Sequence, residues 1–194
     1  MTVAVDPIAV ALSVTRTLEG LGILHTVGGS IASSFAGEPR STIDIDIVAD
    51  LRESDVPALV AALSADFYID ETALHRAIRE RSSANLIHQA TQLKVDFFVA
   101  GGTPLDEQQL HRRLAVEVGP GCTLYVHPPE DILLQKLRWF RKSGEASDRQ
   151  WRDVLGIIRV QGRQLDGDYL RVNAPVLGVA DLLARALNDA AEEV

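Results

Sequence analysis

The sequence predicts an α+β protein, a mixed β-sheet core flanked by helices over residues 1–127 with a helical part over residues 128–194. Three observations carry this. Ile43 to Val48 alternates apolar and polar as a half-buried strand does. Asn85–Gln89 and Gln92–Val99 form a second strand-like pair, turning near Ala90-Thr91. After Pro128-Pro129 the pattern changes to long stretches of helical period.

The elements follow in chain order. Asp6 reads as an N-cap before Pro7 at the first helical position, and Gly20-Leu21-Gly22 closes that helix. Ile23 to Val27 reads as a short strand running into Gly28-Gly29, and Ser30 to Ala36 as a short helix stopped by Gly37 and Pro39. Ile43, Ile45 and Ile47 fall on one face of the next strand, Asp44 and Asp46 on the other. Ser54–Leu63 and Glu71–Arg79 read as helices, and Leu114–Val118 with Thr123–Val126 as a strand pair around Gly119-Pro120-Gly121. Glu130 to Lys142 is a helix with an acidic first turn that suits the helix dipole. Ser147-Asp148-Arg149-Gln150 is a capping box opening a helix whose apolar stripe is Trp151, Leu155 and Ile158. Val176 to Ala191 reads as one final amphipathic helix.

Composition sets limits. In 194 residues, 46% are hydrophobic and 24% charged, which excludes a disordered chain. No apolar run approaches the ~18–20 residues that cross a bilayer. Residues 1–14 hold no Lys or Arg, so no basic signal-peptide region is read, and a cytoplasmic location is expected. Net charge is −8, so the basic excess of a dedicated nucleic-acid binder is missing. Cys122 is the single cysteine, which rules out an internal disulfide and reads as a small buried hydrophobe. The five histidines show no metal-ligand spacing, and neither Gly-x-x-x-x-Gly-Lys-[Ser/Thr] nor Gly-x-Gly-x-x-Gly occurs.

The informative stretch is Val27-Gly28-Gly29-Ser30 followed by Arg40-Ser41-Thr42-Ile43-Asp44-Ile45-Asp46. Two aspartates two apart on a strand share a face at about 6.5–7 Å and repel unless a cation stands between them. Mg²⁺, a hard cation that takes carboxylate oxygens, meets that need. Gly28-Gly29 admits close approach of backbone to a ligand, and a helix opening at Ser30 presents N–H groups to a phosphate. Asp96, the one acid in the Leu93–Val99 strand, is the candidate third carboxylate of a two-metal site.

These residues resemble the nucleotidyltransferase superfamily that includes DNA polymerase beta, and within it the minimal bacterial branch with the AbiEii-type toxins. The resemblance implies a Gly28-Gly29-Ser30 turn on the triphosphate, Asp44 and Asp46 on two Mg²⁺ ions, and Asp96 as third ligand or base. Glu130–Leu137 and Arg152-Asp153-Val154 also resemble that branch, which implies Lys136 and Asp153 in the site. It further implies an NTP as substrate, release of pyrophosphate, and an antitoxin as partner. The acceptor stays open between a small molecule, a protein and a tRNA end. So does a non-catalytic nucleotide-binding or toxin–antitoxin interaction protein of the same fold.

Each residue has a plainer alternative. Asp44 and Asp46 can mark the wet face of an edge strand, and Asp96 a carboxylate paired with a Lys or Arg. Arg40 reads equally as a triphosphate contact or a solvated loop arginine. Lys136 and Asp153 read equally as catalytic groups or an ion pair between two helices. Trp139, Phe140 and Trp151 read as packing residues of the helical part.

Overall fold

The computed structural model describes residues 6–39 and 42–192. Helix α1 (Pro7–Gly20) starts where Asp6 accepts a hydrogen bond from the Ile8 N–H at 2.9 Å, and it buries Val10, Ala11, Val14 and Leu18. Strand β1 (His25–Val27) is followed by α2 (Gly29–Ala36), and β2 runs from Asp44 to Ala49. Ile43, expected on the buried face, is instead 72% exposed, because β2 pairs only from Asp44 onward.

Helix α3 (Val56–Leu63) leads to β3 (Phe67–Ile69), a three-residue edge strand too short to carry a recognisable alternation. Helix α4 (Glu71–Glu80) is capped by Asp70, whose carboxylate accepts from the Ala73 N–H. Strands β4 (Ser83–His88) and β5 (Lys94–Val99) form the expected hairpin. Helix α5 (Pro104–His111), with Thr103 as its cap, has too little amphipathic pattern to be read from the sequence. Strands β6 (Leu114–Gly119) and β7 (Cys122–Val126) complete the sheet.

The sheet has seven strands in the order β3-β4-β5-β2-β1-β7-β6. The β2–β5 and β1–β7 pairs are parallel and the rest antiparallel, so the sheet is mixed, as expected. Ile45, Ile47, Leu86, Val95 and Phe97 are fully buried and share one face by register, while α1 packs on β2 and α4 on β4 and β5. Each such side chain contributes about 1.5–3 kcal/mol on leaving water. Since strand side chains alternate, the residues between them are directed to the opposite face.

The helical part comprises α6 (Pro129–Lys142), α7 (Asp148–Gln161), α8 (Gly167–Val176) and α9 (Ala180–Glu192). The single helix expected over 176–191 is corrected here. Leu177 ends α8, Gly178 turns the chain at a φ of 67°, and α9 starts afresh. Ser147 Oγ accepts from the Gln150 N–H, the first half of the capping box. Phe140 is buried with its ring 4.9 Å from that of Trp151, whereas Trp139 stays 47% exposed.

The chain divides into two compact units. One comprises Met1–Ile31 and Ser41–His127, the other Ala32–Arg40 and Pro128–Val194. No helix of the described residues is long and apolar enough to cross a membrane. Cys122 is partly exposed rather than buried, and the Arg16 guanidinium donates to its Sγ at 3.1 Å.

Candidate active site

Asp44 and Asp46 alternate along β2 with the buried Ile45 and Ile47, which sends both carboxylates to one half-exposed face. Strand β5 has the same alternation, and its parallel register sets Asp96 opposite Asp46 and Lys94 opposite Asp44. Neighbouring strands lie about 4.8 Å apart and alternate residues about 6.7 Å apart. Three acids and one lysine therefore occupy the corners of one small patch. The Lys94 ammonium lies 2.8 Å from an Asp96 oxygen, and the Asp96 side chain is 16% exposed. The hydrogen bond to Asp96, reinforced by the charges of Asp96, Asp44 and Asp46, holds Lys94 above the ordinary lysine pKa.

The glycine turn is built onto the same carboxylates. Val27, the last residue of β1, pairs with Ile47, and the Gly28 N–H donates to the Asp46 carbonyl at 2.9 Å. Helix α2 begins at the next residue, so its first-turn amides start at this turn. Gly29 has a φ of 55°, and a Cβ placed there would stand 1.7 Å from Asp46 Oδ2. Only a residue without a side chain fits between the backbone and that carboxylate. At Gly28 a Cβ would stand 3.3 Å from the His127 ring, so the turn is bordered by Asp46 on one side and His127 on the other. Beyond the start of β2, Thr42 Oγ1 donates to the Asp44 carbonyl at 3.1 Å.

His127, like Lys94, is a residue that the sequence does not single out. It follows β7, its N–H donates to the Val27 carbonyl at 3.1 Å, and it is 4% exposed. Burial pushes its imidazole down to about 4, and its Nδ1 has no hydrogen-bond partner among the described residues. The buried His25 is shifted in the same direction, again chiefly by burial. A base whose pKa falls on folding binds fewer protons in the native state than in the unfolded one. Stability is then complete above pH 6.5 and is lost as the pH falls from 6.5 toward 4. For His127 that shift amounts to about 3 kcal/mol. Urea unfolding at pH 7.5 and pH 5 should show the loss, and His127→Phe should reduce it, leaving the share due to His25. An unchanged pH slope in that variant would contradict the assignment.

In the second unit, the Lys136 ammonium lies 2.6 Å from an Asp153 oxygen, with the two side chains 5% and 9% exposed. Gln150 Oε1, expected to complete the capping box, instead accepts from Lys136 at 3.4 Å. Nearby, the Tyr169 hydroxyl donates to the buried Asp131 at 2.6 Å. Arg40 lies outside the described residues.

The chemistry of the first unit's patch is that of oxygen donors beside a helix start. Among the described residues no three His, Cys, Asp or Glu side chains are grouped so as to cage a metal by themselves. Mg²⁺ seldom uses such cages. It takes one or two carboxylates and completes its shell with water and substrate phosphates. Asp44 and Asp46 on one face, next to a backbone turn suited to phosphate, fit that mode of binding.

The family model described as nucleotidyl transferase AbiEii toxin, type IV TA system, matches residues 27–174. Among solved structures, an antigenic nucleotidyltransferase-like protein from Paracoccidioides brasiliensis is similar, at 17% identity and a TM-score of 0.57. That match covers 93% of this chain and 91% of the other. The antibiotic-resistance factor ANT(2'')-Ia is similar at 11% identity and a TM-score of 0.56, with 96% of each chain covered. Its complex with adenylyl-2''-tobramycin gives 10% identity and the same score, over 88% of this chain and 95% of the other. At these identities the likeness is one of fold. No curated protein sequence matches the chain.

Proposed function

The chain belongs to the AbiEii nucleotidyltransferase family, and on that premise we propose that it moves an NMP unit from an NTP to an acceptor hydroxyl, with Mg²⁺ bound at Asp44 and Asp46. The observation that carries this reading is the direct contact geometry between the Gly28-Gly29-Ser30 turn and the Asp46 carboxylate. It supports a reading in which the turn's backbone takes phosphate beside carboxylate oxygens that take the metal. A cytoplasmic setting, where NTPs and Mg²⁺ are abundant, suits the reaction.

In this reading the turn and the first amides of α2 bind the β- and γ-phosphates. Asp44 and Asp46 would hold two Mg²⁺ ions, with Asp96 as the third ligand or base, and the ions would supply charge neutralisation on the phosphates and the attacking oxygen. The acceptor oxygen bonds to the α-phosphorus as the bond to the bridging oxygen breaks. Pyrophosphate departs with that electron pair, and the hydroxyl proton passes to the Asp96 carboxylate. The protein's share is positioning and charge placement.

Incubation with each α-labelled NTP, Mg²⁺ and a panel of small molecules, proteins and tRNAs tests the proposal. It predicts label transfer that depends on Asp44. Equal transfer by wild type and Asp44→Asn would overturn it. NTP binding without transfer to any acceptor would instead support a non-catalytic nucleotide-binding protein or one acting through an antitoxin partner, which the family's toxin–antitoxin description brings into view.

Lys136 and Asp153 enter the proposal from the family resemblance. Removing one partner of so buried a pair costs about 3–5 kcal/mol, so Lys136→Met should melt well below wild type. The double variant Lys136→Met/Asp153→Leu, with neither charge of the pair left, should recover most of that stability. A catalytic contribution predicts that it still lacks transfer, whereas normal transfer by the recovered variant would reduce the pair to a structural role.

A further inference from the structure

Resting on the reading above, we propose that Lys94 is the positioning residue of the carboxylate face, its ammonium competing with a divalent cation for the same carboxylates, so that metal binds together with the nucleotide rather than ahead of it. Several observations converge. Lys94 shares the face of Asp96, two residues away on β5, and stands opposite Asp44 on β2. Its ammonium is hydrogen-bonded to Asp96 at 2.8 Å, and all three carboxylates act on it electrostatically. Three acids on two adjacent strands repel one another, and Lys94 supplies a positive side chain that the β2–β5 register sets among them.

The two partners differ in freedom. The Asp96 side chain is 16% exposed and fixed on a strand in the middle of the sheet, while that of Lys94 is 41% exposed. A divalent ion drawn to Asp96 would meet the ammonium at close range in a half-buried, weakly screened setting. The four-carbon stem lets the lysine yield toward solvent, and Asp96 is then released to act as ligand or base. An NTP brings several negative charges of its own. With it present, ammonium and metal need no longer compete for one set of carboxylates, and metal affinity rises. Coupling of this kind is reciprocal, so metal must tighten nucleotide binding by the same factor.

The test is calorimetric titration of Mn²⁺ into the full chain without nucleotide, joined to thermal melting. Lys94→Met keeps most of the stem and removes the charge. It should bind Mn²⁺ about 10-fold more tightly than wild type, melt lower in the absence of metal, and gain a larger Tm rise from saturating Mn²⁺. Lys94→Arg, which keeps the charge, should follow wild type within about 3-fold. Should Lys94→Met fail to fold, Lys94→Gln, with a neutral donor left for Asp96, serves in its place. Unchanged or weaker Mn²⁺ affinity in the neutral variants would overturn the inference, while NTP-dependent Mn²⁺ binding by wild type would leave the enzymatic reading standing. Absence of Mn²⁺ binding in every variant, with or without NTP, would overturn both.

Discussion

Asp46→Asn is expected to lower nucleotidyl transfer by about 10²–10⁴-fold while changing the melting temperature little. The two halves of this prediction have one cause. Asp46 shares a face with Asp44 and stands opposite Asp96, so removing its charge relieves its repulsion with those two acids. In the proposed reaction the same charge holds the metal-bound triphosphate. A residue kept only for the fold would behave the other way, losing stability first and activity through it. The substitution is nearly isosteric, and the strand's packing rests on the buried Ile45 and Ile47, which it does not touch. Steady-state transfer and differential scanning calorimetry on the same preparation check both halves. A marked loss of stability with activity intact would assign Asp46 to the scaffold.

Gly29→Ala is expected to remove nucleotide binding about as completely, by a different route. The methyl group would stand 1.7 Å from the Asp46 carboxylate, so the turn, the carboxylate or both must move. The positive φ adds a backbone cost of about 1–2 kcal/mol for any residue with a side chain. Displacement of about 1 Å in a positioned site costs roughly 100-fold in rate. Stability should fall modestly, since the turn lies at the sheet's edge of burial rather than in its core. Gly28→Ala should be milder, because its neighbour is the His127 ring at 3.3 Å and a small shift relieves the contact. A Gly29→Ala protein that binds nucleotide as wild type does would show that the turn is not the phosphate cradle.

Much of this site was legible in the sequence because its signals are local. The Asp44-Ile45-Asp46 alternation reports a strand face directly, and a pair of glycines before a helix reports a backbone that something approaches closely. Asp96 could be flagged as the one acid in an apolar strand, and its sheet register places it opposite Asp46. What escaped depended on long-range pairing. Lys94 became significant only once β2 and β5 were aligned side by side, although its spacing of two from Asp96 was a usable hint. His127 meets Gly28 through the parallel pairing of β1 with β7, about a hundred residues apart in sequence, and no periodicity announces that. The break between α8 and α9 was hidden because Leu177-Gly178 interrupts an apolar pattern that continues on either side. Gln150 shows a local rule overridden, as its side chain serves a buried lysine instead of the helix start.

In the proposed reaction the glycine turn and the paired β2 carboxylates bind a metal–triphosphate as one unit. Calorimetric titration of a nonhydrolysable NTP in the presence of Mn²⁺ measures this without knowledge of the acceptor. Wild type should bind, and Asp46→Asn and Gly29→Ala should each weaken binding by 100-fold or more, that is by about 2.7 kcal/mol. Equal affinity across the three proteins would contradict the claim.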